Sequence, residues 1–219
     1  MTKKVTCNLI IIILFSCIYT FPVFAQEVNK RAIPGKISCA EKRWILFHPF
    51  IAKKSLEISK EVLLTVDSIK TINRIDNDIN GGQLDAFKHA YWMALLSKHI
   101  KSRKALKLGK AHEKGNYKTY KKAKRKGIPN SYDKVSSEMD LWNNQQGIEI
   151  GKELKGNNLM IIQQAIIDSI QSGKMKTISK NASGQFLDCE GTIIPLENLM
   201  GKWENEKCLV PSNYRLVED

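Results

Sequence analysis

Apolar residues return at helical spacing in three stretches of the 219-residue chain, separated by breaks containing Gly, Asn or Pro, so its core must form by packing helices together. Ile51, Leu56, Ile58, Val62, Leu63, Val66 and Ile69 mark a helix over 51–72. Leu84, Phe87, Tyr91, Ala94 and Leu95 mark another over 84–100. Leu159 to Ile170 is apolar on more than one face, which predicts a buried helix. The breaks are Asp76 to Gly82, Gly127-Ile-Pro129-Asn-Ser and Gly156-Asn-Asn158. Other helices are expected over 40–47, stopped by His48-Pro49, over 103–113, and from Asp133 or Ser137 to Leu154. Beyond Lys174 the pattern is mixed, with Thr177-Ile178, 184–187 and 192–194 as short strand candidates. The fold class that follows is mainly α, a multi-helix bundle-like domain with a small irregular or β-containing C-terminal tail.

The first 25 residues stand apart from that domain. Lys3 and Lys4 precede an apolar run from Leu9 to Ile18, and Val23-Phe24-Ala25 offers small-residue cleavage, the layout of a secretory signal peptide. The run is shorter than the roughly 20 residues of a membrane span, and no later stretch reaches that length. The mature chain is therefore expected to be soluble and exported, periplasmic or extracellular. A rival reading makes Leu14-Phe-Ser-Cys17 a lipoprotein box with the lipid on Cys17, against which stand the bulk of Phe15 and the apolar tail left behind the cysteine. Residues 26–38, with Pro34-Gly35, read as a flexible lead. Residues 39–173 read as the helical domain, and 174–219 as a mixed segment packed on it.

Two of the 35 basic residues and none of the 22 acidic ones lie in the signal peptide, which leaves the mature chain at a formal +11. Such a charge favours solubility and anionic surfaces, and is silent on fold. Three cysteines remain. Cys189 and Cys208 flank one Gly- and Pro-containing segment and are the expected pair in a compartment that permits disulfides, leaving Cys39 over; pairing through Cys39 stays open.

Three polar clusters interrupt the helical pattern: Asp85-Ala-Phe-Lys-His89-Ala-Tyr-Trp92, His112-Glu113, and Met139-Asp-Leu-Trp-Asn143-Asn144-Gln-Gln-Gly147. Asp85 and His89 are four residues apart, a rotation of about 40° and a rise of about 6 Å on a helix, so both can meet one ligand. Each cluster also has an ordinary explanation. Asp85 suits the first turn of a helix, His89 a hydrogen-bonded place in the core, Glu113 a solvated face, and Ser137-x-x-Asp140 a variant capping box. Asn143-Asn144 resists such treatment, because two amides in a helix interior compete for its backbone.

Jointly the clusters supply imidazole, carboxylate and amide groups from three helices, the layout by which bundles build internal sites. Asp85, His89, His112 and Asp140 are the candidate metal ligands, and the mixed nitrogen and oxygen set suits Zn, Mn or Fe better than Ca. With no cysteine nearby, a structural zinc is disfavoured. Glu113 would then act as acid or base and Asn144 would stabilise charge on the substrate. The same residues also permit a metal-free acid–base pair or a bracing network without chemistry.

The run Tyr117-Lys-Thr-Tyr-Lys-Lys-Ala-Lys-Arg-Lys126 ordinarily reads as a solvated helix face. Two tyrosines are thin grounds for nucleic-acid binding. For an exported protein the expected partner is an anionic envelope component: phospholipid, lipopolysaccharide or wall polymer. Asn181-Ala-Ser183 fits a glycosylation triplet that occurs often by chance.

These residues carry a resemblance. The chain resembles a bacterial family of unassigned function with the pattern D-A-F-[RK]-H-A-x-W, H-E, and M-D-x-x-N-N-x-x-G, matched over about residues 40 to 155. The resemblance implies a predominantly helical domain of secreted or surface proteins, in some cases a terminal module of toxin-like chains, and it assigns no activity. Lys88 stands where that pattern commonly has arginine, which weakens a bidentate anion clamp there. Trp142 is assigned to packing. The expectation is a secreted, metal-assisted hydrolase of an anionic ester or amide; the alternatives are a non-catalytic envelope-binding module and a toxin-like effector.

Overall fold

The computed structural model describes residues 37–214, so the expected signal peptide, the Cys17 lipidation site and most of the lead lie outside the described residues. Six helices appear among the described residues: α1 (Cys39–Phe47), α2 (Pro49–Ile72), α3 (Gln83–His99), α4 (Ser102–Arg125), α5 (Lys134–Glu153) and α6 (Leu159–Gln171). A two-stranded antiparallel sheet of β1 (Lys176–Ile178) and β2 (Leu209–Pro211) follows, with a 3₁₀ turn at Leu196–Asn198 between its strands. The fold is mainly α with a small β-containing tail.

Sequence explains the helix starts. Ser38 and Glu41 form a capping box at α1, and Pro49 enters α2 at its first turn, where a missing N–H costs nothing. Asp133 caps α5 through the Ser136 N–H at 2.8 Å, and Asn158 caps α6 through Ile161. Ser137 is thus inside α5, so the capping explanation of Asp140 fails.

α3 is the central helix and packs against α2, α4, α5, α6 and β1. It was expected to bury one apolar face; instead Leu84, Ala86, Phe87, Ala90, Tyr91, Met93, Ala94, Leu95 and Leu96 are all buried, because neighbours surround it. α6 departs the other way. Ile162, Ile166, Ile167 and Ile170 are buried while Met160 is 77% exposed, so the run predicted to be buried all round covers the core with one face only. α4 does not stop near Glu113 but continues through the basic run to Arg125. Lysine and alanine sustain the helix after the apolar periodicity has faded.

α5 lies directly on α3. A Cβ on Gly147 would stand 2.1 Å from the Ala90 carbonyl oxygen, and one on Gly151 would stand 2.4 Å from that of Ala94. Small residues on both helices bring the backbones together, so side chains entering this seam from α3 and α5 are close neighbours.

The tail is fastened to the helices by polar contacts. Asn143 both donates to the Lys176 carbonyl and accepts from its N–H, each at 2.9 Å, and the Trp142 indole N–H donates to the Lys174 carbonyl. Trp142 is 46% exposed, so its packing role is that of a strap over the tail. Lys207 forms a buried ion pair with Asp133 at 2.6 Å. The expected Cys189–Cys208 disulfide is formed, and Cys39 opens α1 in an exposed position. The 184–187 and 192–194 strand candidates make isolated bridges, Lys180 to Phe186 and Leu187 to Ile193, while β2 went unforeseen.

Candidate functional site

Asp85 and His89 project from the first half of α3 into its seam with α5, which brings Asp140 from its own polar face. One ligand atom from each of the three lies within 4.8 Å of the others. His89 Nε2 is 3.3 Å from Asp140 Oδ1 and 3.6 Å from Asp85 Oδ1, and all three residues are buried. Asp85 is held by two donors, the Gly81 N–H on Oδ2 at 2.9 Å and the Lys88 ammonium on Oδ1 at 2.5 Å. Asp140 Oδ1 and His89 Nδ1 have no hydrogen-bond partner despite their burial, an expensive condition for any polar atom.

The electrostatics are equally unsettled. Burial, followed by the charges of Lys88 and His112, holds the His89 imidazole well below its ordinary pKa and therefore neutral. Burial, followed by repulsion from Asp85 and Glu113, pushes the Asp140 carboxyl well above the usual carboxylate range. A neutral imidazole beside two crowded carboxyl groups is a donor set that a cation would satisfy. Asp85, His89 and Asp140 can hold a metal ion.

His112 and Glu113 diverge on α4 as neighbours on a helix must. His112 Nδ1 meets Glu41 Oε1 at 2.9 Å, and its ring centroid is 6.4 Å from that of His89 and 5.8 Å from that of Trp92. His112 thus lies beside the three-residue group, with its Nδ1 engaged and Nε2 as its remaining donor atom. Burial lowers its pKa, but the Glu41 hydrogen bond and the charge of Glu113 outweigh this and raise it. Burial likewise works against the Glu41 carboxylate, yet the His112 bond and the Ser38 contacts hold it down at about 2.

Glu113 turns inward. Its Oε2 accepts from Ser137 at 2.8 Å and from Asn116 at 3.2 Å, while its buried Oε1 has no partner. Burial raises its pKa against the pull of His112 and those donors.

The two asparagines part company. Asn143 is committed to the backbone of β1. Asn144, 1% exposed, has both amide atoms without a hydrogen-bond partner, beside Gly109 of α4, where a Cβ would stand 2.9 Å from Asn144 Nδ2. It lies near enough to favour protonation of His89 without a well-formed bond to it.

A family model, a domain of unknown function named DUF6973, matches residues 42–174. The chain belongs to the DUF6973 family. Every residue of the Asp85, His89, Asp140, His112, Glu113 and Asn144 group falls within the DUF6973 match, whereas Glu41, which orients His112, falls one residue before it. No curated protein and no solved structure matches the chain.

Glu41 and Ser137, which bond His112 and Glu113 of the candidate site, were missed by sequence reasoning. The Ser38-x-x-Glu41 box was legible as a helix start, but nothing local says that the same carboxylate reaches a histidine 71 positions on.

Proposed function

We propose that the chain is an exported, metal-dependent hydrolase that cleaves an anionic ester or amide at the polar cluster between α3, α4 and α5. The observation that carries this reading is the convergence of Asp85, His89 and Asp140, with buried polar atoms left unpaired around them. Three protein donors leave coordination positions open, as catalytic sites require, and the donor set suits Zn, Mn or Fe. When bound, such an ion would polarise the scissile group.

The chain's own residues supply the rest. His112 lies beside that three-residue set, oriented by its Nδ1 contact with Glu41, so its Nε2 is placed to donate to an anionic group of the substrate. Burial holds the Glu113 carboxyl above its ordinary pKa, the direction that favours a general acid or base. Asn144 keeps an amide free to donate to negative charge developing on the substrate. Lys88 and the net positive charge favour an anionic substrate drawn from an envelope component. The Cys189–Cys208 disulfide supports an exported setting, and no described helix is long and apolar enough to cross a membrane.

One contact favours a metal-free reading. The Lys88 ammonium already neutralises Asp85, so Lys88 can serve as the site's cation and a proton can stay with Asp140 or Glu113. Lys88→Met separates the two readings: it strengthens ion binding if a metal shares Asp85 Oδ1 with Lys88, and it abolishes a chelator-insensitive activity if lysine is the working cation.

The test is hydrolysis of a panel of anionic phosphate and acyl esters by the mature protein before and after chelation. The reading expects activity that a chelator removes and one of Zn, Mn or Fe restores, with Glu113→Gln lowering kcat by about 10²-fold or more while the ion stays bound. Hydrolysis indifferent to both chelator and Glu113→Gln would reject it.

A further inference from the structure

The basic run on α4, expected to be a solvated face, forms one wall of a groove. Glu113, Tyr117, Tyr120 and Lys124 fall within a sector of about 60° on the helix, so the groove lies on the same face of α4 as Glu113, toward the helix C-terminal end. Its other wall is the 202–204 segment. Trp203 lies against both tyrosines, with ring centroids 4.6 Å from Tyr117 and 5.4 Å from Tyr120. The segment is pinned by the Lys134 N–H on the Trp203 carbonyl at 2.8 Å and the Gly201 N–H on the Asn130 carbonyl at 2.9 Å.

Three ammonium groups border the resulting space of about 460 Å³. Lys121 stands over the Tyr117 ring at 5.4 Å, Lys124 over the Tyr120 ring at 5.8 Å, and Lys202 donates to Asn198 at 2.9 Å. The rings therefore hold cations in place, and less side-chain entropy is lost when an anion arrives. Glu204 is the one acid among the lining residues, and its 80% exposed side chain lies 3.8 Å from Lys134.

We infer that the groove formed by Tyr117, Tyr120, Lys121, Lys124, Lys202 and Trp203 binds a flexible chain of phosphodiester anions that carries no bases, of the polyol phosphate type. The open trough and cations one helical turn apart suit charges repeated along a chain. Single-stranded nucleic acid is the weaker fit: Lys121 covers Tyr117, Lys124 covers Tyr120, and the remaining ring surface is spent on Trp203 and on each other, so the platform that would stack bases is already occupied. This inference stands independently of any metal.

Binding of a synthetic glycerol-phosphate oligomer by the full mature protein tests it, measured by titration calorimetry at physiological salt. K121Q/K124Q/K202Q should weaken binding at least about tenfold, whereas K53Q/K54Q/K60Q, an equal loss of exposed charge on α2, should change it less than about threefold. Glu204→Lys should tighten binding, a gain that misfolding cannot imitate. Equal losses in the two triple variants would show net charge alone and overturn the site. No binding by the wild-type protein would overturn it as well, and a single-stranded oligonucleotide of equal charge binding as tightly as the oligomer would overturn the base-free ligand.

Discussion

Gly147 of α5 sits so close to Ala90 of α3 that a Cβ added to it would lie 2.1 Å from the Ala90 carbonyl oxygen. The atom in the way is backbone and cannot rotate aside. Gly147→Ala should therefore force the helices apart and destabilise the domain by about 3 kcal/mol or more. Thermal unfolding should show a fall in Tm of at least about 6 °C for a domain of this size. An unchanged Tm would mean that the seam holding the candidate site is looser than described.

Asn143 and Asn144 are adjacent and should behave as opposites. Asn143→Ala strands a backbone N–H and carbonyl of Lys176 and should cost about 2–3 kcal/mol, with faster hydrogen exchange at Lys176 and no change in ion binding. Asn144→Leu removes an amide that has no partner to lose, so stability should hold or rise while activity falls. Matching stability losses in both variants would assign Asn144 to the scaffold.

Asp140 should make the metal-free protein pH-sensitive in a defined direction. Its folded pKa is raised, so between the ordinary carboxylate value and that raised value the folded state keeps a proton that the unfolded chain releases, and stability falls as pH rises through that window. Denaturant unfolding at intervals upward from about pH 4 should show this decline, and Asp140→Asn should flatten it. A wild-type profile no steeper than that of the variant would contradict the burial and repulsion argument.

The Glu41–His112 pair responds at both ends of the scale. Its carboxylate contribution is complete above about pH 4.5 and is lost as pH falls toward about 2. The imidazolium contribution is complete below about pH 6.5 and is lost as pH rises through the raised His112 value. Glu41→Gln should lower the His112 pKa in an NMR titration of the ring. A titration midpoint that does not move would mean that Glu113 alone sets the charge of His112.

How much of this was legible in the sequence depended on how local the signal was. Helical periodicity located α2, α3 and α6 closely, because apolar spacing and Gly- or Asn-bearing breaks act within a few residues. It failed on α4 past Glu113, where lysines and alanine keep the helix with little apolar face, and on β2, whose three residues pair with a strand about 30 positions earlier. The Asp85 and His89 spacing on one helix accounts for their meeting in one buried cluster. Asp140 joined them through the small-residue seam that Gly147 makes, and Gly147 read only as part of a motif. Glu41 was out of reach, since its contact with His112 depends on how α1 packs against α4.

Metal content of the purified mature protein tests the central claim most directly. With Zn, Mn or Fe supplied and excess removed, wild-type protein should retain about one ion per chain, and His89→Ala and Asp140→Ala should each weaken that binding by about 10²-fold or more while still folding. Wild-type protein that takes up none of these ions, or variants that retain the ion as tightly as wild type, would contradict a metal centre at Asp85, His89 and Asp140.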